Sequence, residues 1–211
     1  MKKFLSLSIF ILIPLFVFAQ SSILEPDSSG KKLKEMYLNM HVEKFWLAGT
    51  HVNWLTGEPD LPNATTENTT HCSAFIAAAC QKMGIYILRP PEHAQELLAN
   101  AQYNWLISAK GYAAGWKQIK SNSFEKAQRI ANRGFMVLAT YRNPIPKRAG
   151  HIVCVMPAII STDSIAANGP QVIQAARSNE IDIHFRDAFH RVIKQWPKTP
   201  VLFFYNEKLA F

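Results

Sequence analysis

Residues 71–84 read His-Cys-Ser-Ala-Phe-Ile-Ala-Ala-Ala-Cys-Gln-Lys-Met-Gly. The alanine-rich run predicts a helix over 73–83, which Gly84 ends from the C-terminal cap position. Other predicted helices cover 34–46, 92–105 and 124–132. The pattern then changes to short β-rich runs separated by Pro, Gly and Asn, at 135–141, 152–156, 171–175 and 201–205. Because the helices come first and the strands follow, the sequence predicts an α+β fold.

The composition is that of a globular protein. The chain has 211 residues, of which 48% are hydrophobic and 18% are charged. These values exclude disordered, collagen-like and coiled-coil chains, and the length suits one domain. The three cysteines are too few, and odd in number, for a disulfide framework.

The N-terminus has the pattern of a secretory signal. Lys2 and Lys3 precede an apolar run from Phe4 to Phe18, and Val17-Phe18-Ala19 supplies a cleavage site. We expect a signal peptide over 1–19, an exported protein in the periplasm or outside the cell, and no stable membrane anchor after cleavage. Residues 20–34 are predicted as a flexible leader, 35–211 as a single domain, and 49–70 as a long loop.

The net charge suggests which partners the mature chain meets. Without Lys2 and Lys3 it keeps 21 of its 23 basic residues against 15 acidic ones, a charge of +6. Such a protein is attracted to anionic surfaces such as cell-wall polymers. The basic residues are scattered rather than clustered, so we do not expect nucleic-acid binding. The sequence leaves the oligomeric state open.

Cys72 is the candidate nucleophile. It stands at the start of the alanine-rich helix, where unpaired N–H groups and a partial positive charge stabilise a thiolate. Its own N–H can also face a developing oxyanion. The other two cysteines, Cys80 and Cys154, lie in apolar surroundings, so we predict buried core thiols at both positions. An exported location also permits a disulfide between them, and the sequence leaves that alternative open.

His151 is the candidate base. It opens a strand directly after Gly150, a residue that lets the backbone approach another element closely. A base of this kind needs a third group to hold its ring. Gln174 on the following strand is our first prediction for this role, Asn179 is the second, and Gln171 and Asn168 are further alternatives.

The sequence resembles the papain-like NlpC and CHAP peptidoglycan hydrolases. The residues that carry the resemblance are His-Cys-Ser-Ala-Phe from 71, Gly-His-Ile-Val-Cys-Val from 150, and a polar residue on the next strand, within roughly 70–179. The resemblance implies a papain-like fold in which a helix starting with cysteine packs on an antiparallel sheet. It also implies a Cys72–His151–Gln174 triad that cleaves an amide bond in peptidoglycan, as a stem-peptide endopeptidase or an N-acetylmuramoyl-alanine amidase.

The substrate groove is predicted near the loop that leads to Cys72. Of the tryptophans at 46, 54, 105 and 116, we favour Trp54 as a substrate contact, with Asn53, Asp60 and Asn179 as further contacts. The expected partner is peptidoglycan or a peptide, and the predicted chemistry requires no cofactor and no metal. The alternative function is a non-catalytic papain-like module that binds wall fragments or a protein partner, since the chain lacks the Asp before the cysteine and the upstream tyrosine of NlpC relatives.

Overall fold

The computed structural model describes residues 21–65 and 69–209, so the predicted signal peptide lies outside the described residues. The described part is a mixed α+β fold with antiparallel sheets, as the sequence predicts. The helices are α1 (Ser28–Leu38), α2 (Cys72–Lys82), α3 (Leu98–Leu106), α4 (Ala109–Ala113), α5 (Ser123–Asn132), α6 (Thr162–Asn168) and α7 (Phe185–Ala188). The strands are β1 (Ile23–Leu24), β2 (Thr50–Val52), β3 (Pro59–Thr65), β4 (Trp116–Ile119), β5 (Phe135–Tyr141), β6 (His151–Val155), β7 (Ile160–Ser161), β8 (Gln171–Gln174), β9 (Glu180–His184) and β10 (Leu202–Leu209).

A six-stranded antiparallel sheet forms the centre of the molecule. Its strand order is β4-β10-β5-β6-β8-β9. The four predicted strands are confirmed as β5, β6, β8 and β10, whereas β4 and β9 were not predicted. Both are edge strands with polar residues, and their pairing is decided by contacts from distant parts of the chain.

Two apolar clusters cover the two faces of this sheet. On one face, Leu138, Ile152 and Cys154 pack with α2, whose residues 72–80 are all buried. A helix that is apolar all round belongs in a core, which explains the central place of α2. On the other face, Val153 and Val155 pack with residues of α5 and with the aromatic side chains around α7.

The N-terminal predictions need correction. Residues 21–34, predicted as a flexible leader, contain β1, which pairs with β7, and the first seven residues of α1. The helix predicted over 34–46 therefore begins earlier and ends at Leu38. The reason is that Asp27 caps α1 by accepting a hydrogen bond from the Gly30 N–H at 2.8 Å, while Leu33 is fully buried.

Two further regions differ from prediction. The long loop predicted over 49–70 contains the antiparallel pair β2 and β3. The helix predicted over 92–105 begins only at Leu98, because Leu97 has a left-handed backbone (φ 53°) that α-helical geometry does not allow. In contrast, the helices predicted over 73–83 and 124–132 are confirmed as α2 and α5, each beginning one residue earlier than predicted. Among the described residues, no helix has the length and apolar character of a membrane span.

Candidate functional site

A large cleft lies at the start of α2 and the start of β6. Its volume is about 1740 Å³, and its lining includes Cys72, His151 and Gln174. The walls come from the β2 region, the loop that precedes β6, the turn between β8 and β9, and the end of α7. The three residues predicted as a triad therefore line one cleft.

Cys72 is the first residue of α2, and its side chain is buried. Backbone N–H groups of Ile152, Ser73 and Cys72 itself hydrogen-bond its sulfur and lower the thiol pKa, in the direction that the helix start predicts. Burial acts in the opposite direction and outweighs them, so the net pKa of Cys72 is raised. The raised pKa favours a neutral Cys72 thiol at pH 7, and the thiolate that the helix start predicts is not favoured by this burial.

His151 is the first residue of β6, opposite Tyr141 on β5. Its Nε2 hydrogen-bonds Oε1 of Gln174 at 2.9 Å, and its ring packs against Phe189 with centroids 5.1 Å apart. Burial lowers the pKa of His151, and the hydrogen bond with Gln174 only partly offsets that effect. Because an amide oxygen accepts, Nε2 carries the hydrogen and Nδ1 keeps a lone pair. The imidazole is thus neutral at pH 7 and has a basic nitrogen.

Gly150 allows the close backbone approach that the sequence predicts for it. A Cβ at this position would overlap the carbonyl oxygen of Tyr141 and meet Oδ1 of Asn100 at 2.6 Å. Asn100 also accepts from the N–H of Asn143 and donates to the carbonyl of Arg148. This contact network holds both ends of the 142–150 loop, and so it fixes where His151 enters the sheet.

Among the four candidates for the third group, the structure brings Gln174 to His151. Asn179, by contrast, donates its amide to the carbonyls of Val42 and Phe45 and accepts from the N–H of Ala176. Its amide is committed to the fold, and Asn179 is not among the residues that line the cleft in which its substrate contact was predicted. Of the other two, Gln171 pairs with His184 on β9, and Asn168 ends α6.

The remaining cysteines are core thiols, as predicted. Cys80 and Cys154 are free and fully buried. The Cys80 thiol contacts the sulfur of Met136 at 3.2 Å. Burial raises the pKa of Cys154 to about 12. Neither thiol is poised for nucleophilic chemistry at neutral pH.

The predicted substrate contacts divide into two groups. Trp54 lines the cleft, with the Arg89 guanidinium 5.7 Å from its ring centroid, whereas Trp46 and Trp116 are buried. Asn53 does not line the cleft, and its side-chain oxygen accepts from the N–H groups of Leu55 and Thr56 and so builds the turn after β2. Asp60 does not line the cleft either, and its carboxylate binds Nδ1 of His51.

Three cleft residues were not predicted from the sequence. His51 lines the cleft and also pairs with Asp60. His71 is buried beside Cys72, with Nε2 at 2.7 Å from the carbonyl of Thr50. Burial lowers the pKa of His71. Glu180 accepts from Nε2 of Gln174 at 3.3 Å. The position of His71 next to Cys72 was a usable signal, but Glu180 becomes visible only through the β8–β9 pairing.

Over the described part of the chain, no group of three or more His, Cys, Asp or Glu side chains has an arrangement that could hold a metal ion.

No protein-family model matches the sequence, and no curated protein is significantly similar to it.

Proposed function

We propose that this protein is an exported cysteine hydrolase with a papain-like, NlpC/CHAP-type arrangement, and that it cleaves an amide bond in the peptide part of peptidoglycan. The observation that carries the proposal is the presence, in one cleft, of a thiol at a helix start and an imidazole whose Nε2 is held by Gln174. A nucleophile, a base and a group that orients the base are the parts that covalent acyl transfer needs.

The chemistry follows from the neutral resting pair. As the sulfur of Cys72 attacks the amide carbonyl carbon, Nδ1 of His151 takes the thiol proton. The carbonyl oxygen becomes an oxyanion facing the N–H groups at the start of α2. The C–N bond then breaks, and the imidazolium returns its proton to the leaving amine. Water, deprotonated by the same imidazole, cleaves the resulting thioester and releases the carboxylic acid and the thiol.

The substrate class is supported by sequence and charge. The N-terminal pattern predicts export, where peptidoglycan is the abundant amide polymer of a bacterial envelope. The mature charge of +6 favours an anionic wall. We propose cleavage of the signal peptide after Ala19. The intact mass of the protein purified from the exported fraction tests that site, because retention of residues 1–19 contradicts it.

The decisive experiment is digestion of purified peptidoglycan by the mature protein, with products identified by mass spectrometry. Wild type should release fragments, and Cys72→Ala and His151→Ala should release none above background. Cys80→Ala is the matched control, because it removes a thiol of the same helix that does not line the cleft. The fragment masses identify the bond and separate an endopeptidase from an amidase.

One observation favours the second candidate, a non-catalytic binding module. The side chain of Cys72 is only 3% exposed, and its pKa is raised. If the protein is a non-catalytic binding module, wild type and Cys72→Ala should release no fragments, and both should sediment with insoluble peptidoglycan to the same extent. If neither protein cleaves or binds peptidoglycan, the proposal that peptidoglycan is the ligand is wrong.

A further inference from the structure

We propose that Glu180 is a positioning residue, whose carboxylate sets the orientation of the Gln174 amide and thereby the tautomer of His151. Its kinetic consequence rests on the proposed function, whereas its structural consequence does not. Glu180 would add a fourth residue to the predicted triad, and it lies on β9, a strand that the sequence does not predict.

The three side chains form a continuous chain of hydrogen bonds. Nε2 of His151 lies 2.9 Å from Oε1 of Gln174, and Nε2 of Gln174 lies 3.3 Å from Oε1 of Glu180. Gln174 is 5% exposed, so bulk water offers its amide few other partners. Gln174 and Glu180 are opposite each other on β8 and β9, and facing residues of paired strands project from the same face.

Donor and acceptor chemistry determines which group donates at each of these hydrogen bonds. An amide group has a donor end and an acceptor end, and it can bind its neighbours either way round. A carboxylate only accepts, so Glu180 requires the NH₂ end of Gln174 to face it. The amide oxygen must then face His151, whose Nε2 must carry the hydrogen. The lone pair is left on Nδ1, the nitrogen that the proposed mechanism uses as base.

The opposite orientation would disable the base. If the NH₂ group faced His151, Nε2 would have to accept, and the hydrogen would move to Nδ1. That tautomer has no lone pair on Nδ1 to take the thiol proton. In a Ser-His-Asp enzyme, a complete loss of the correct tautomer costs about 10⁴ in kcat, so a partial loss is measurable.

The fold holds Glu180 in register through its neighbour Asn179. The Asn179 amide donates to the carbonyls of Val42 and Phe45, and its oxygen accepts from the N–H of Ala176. These bonds tie the turn between β8 and β9 to the segment that follows α1. The pairing of Gln174 with Glu180 is therefore fixed from outside the cleft.

The test is the isosteric variant Glu180→Gln. Its side chain can donate or accept, so it no longer dictates the orientation of Gln174. Nitrogen-15 NMR of the imidazole should show the wild-type His151 protonated on Nε2 and the variant as a mixture of tautomers. The kcat for peptidoglycan cleavage should fall in proportion to the lost Nε2–H tautomer, about twofold for an equal mixture, with little change in KM. Glu35→Gln, an exposed change on α1, should alter neither measurement.

A compensating exchange separates positioning from structural damage. In the double variant Gln174→Glu with Glu180→Gln, the carboxylate is moved to position 174. There it accepts from Nε2 of His151 on one side and from the amide at position 180 on the other. The wild-type tautomer and most of the lost kcat should return, which general destabilisation by Glu180→Gln would not allow.

The outcomes distinguish this inference from the proposed function. A wild-type tautomer in Glu180→Gln, or no rescue in the double variant, overturns the positioning role even if peptidoglycan is cleaved normally. If wild type cleaves nothing, the proposed function fails, and the NMR comparison alone decides whether Glu180 sets the tautomer.

Discussion

At the scale of single residues, burial determines the resting chemistry of the cleft. It raises the pKa of the Cys72 thiol and lowers the pKa of His151, so each group is shifted toward its neutral form. In the proposed reaction, a neutral thiol would transfer its proton to the neutral imidazole during attack. The two shifts favour a neutral thiol and a neutral imidazole over a pre-formed thiolate–imidazolium pair.

This state predicts a distinct pH dependence of activity. Because the pKa of His151 is lowered from the usual 6.5, the imidazole stays a free base at mildly acidic pH. We expect kcat/KM for peptidoglycan cleavage to be retained at pH 6.5 and to fall only below it. A profile of kcat/KM measured in buffers of constant ionic strength checks this. An acidic limb with its midpoint above 6.5 contradicts the lowered pKa.

The same shift predicts how stability depends on pH. A histidine with a lowered pKa in the folded state contributes stability that is complete above about pH 6.5, and that is lost as the pH falls toward the folded-state pKa. His71 is shifted in the same direction. The free energy of unfolding in urea should therefore fall below pH 6.5 in wild type, and less steeply in His151→Gln. Equal slopes would show that His151 is not shifted.

At the scale of elements, α1 and α5 approach each other closely at Gly30. A Cβ on Gly30 would overlap the carbonyl oxygen of Asn132 and meet Cβ of Pro26 at 3.1 Å. The N–H of Asp27 donates to that same carbonyl at 3.0 Å. The contact joins the N-terminal segment to the helix that precedes β5, and it explains why residues 21–34 belong to the fold.

The direction in which one substitution changes the free energy of unfolding tests this contact. In an open helix, Gly→Ala stabilises by up to about 1 kcal/mol. At position 30 the added methyl group meets backbone that is held in place, so we expect Gly30→Ala to lower the free energy of unfolding by about 1–3 kcal/mol. Urea denaturation measures the change. Lys31→Ala, exposed in the same turn, is the control and should stay within about 0.5 kcal/mol of wild type. A stabilised Gly30→Ala variant would mean that the two helices do not pack as described.

At the scale of the whole molecule, the sheet separates two apolar clusters, and the three thiols lie on the α2 side. Cys80 and Cys154 are 0% exposed, while Cys72 lines the cleft. A reagent can therefore reach Cys72 through the cleft. It can reach Cys80 and Cys154 only when the core unfolds.

Alkylation by iodoacetamide should follow this order. The native protein should take up one adduct, at Cys72, slowly at pH 7 and faster as the pH approaches 9, because the thiolate is the reactive form. In urea all three cysteines should react. Peptide mapping by mass spectrometry locates the adducts. Labelling of Cys80 or Cys154 in the native protein would contradict the described core.

The elements that the sequence predicted are those with strong local signals. The Ala-rich run of α2 and the apolar runs of β5, β6, β8 and β10 are set by composition and bounded by Gly, Pro and Asn. Short or polar elements such as β4, β9 and α1 were missed or misplaced. Their stability comes from partners far away in the chain, as with Asp27 and Asn132, and local propensity does not carry that information.

The candidate site also has residues that the sequence predicts and residues that it does not. Cys72 at a helix start and His151 at a strand start after Gly150 could be read from the sequence, because both depend on local backbone geometry. The packing of distant segments was needed to show that Gln174 rather than Asn179 meets His151 and that Glu180 completes the row of hydrogen bonds. It was also needed to show that Asn53 and Asn179 hold turns and do not line the cleft. Burial in the folded chain also shifts the pKa of Cys72 and of His151 toward their neutral forms. Strand register determines which polar side chains meet, and burial determines their pKa, and both arise only when distant segments pack together.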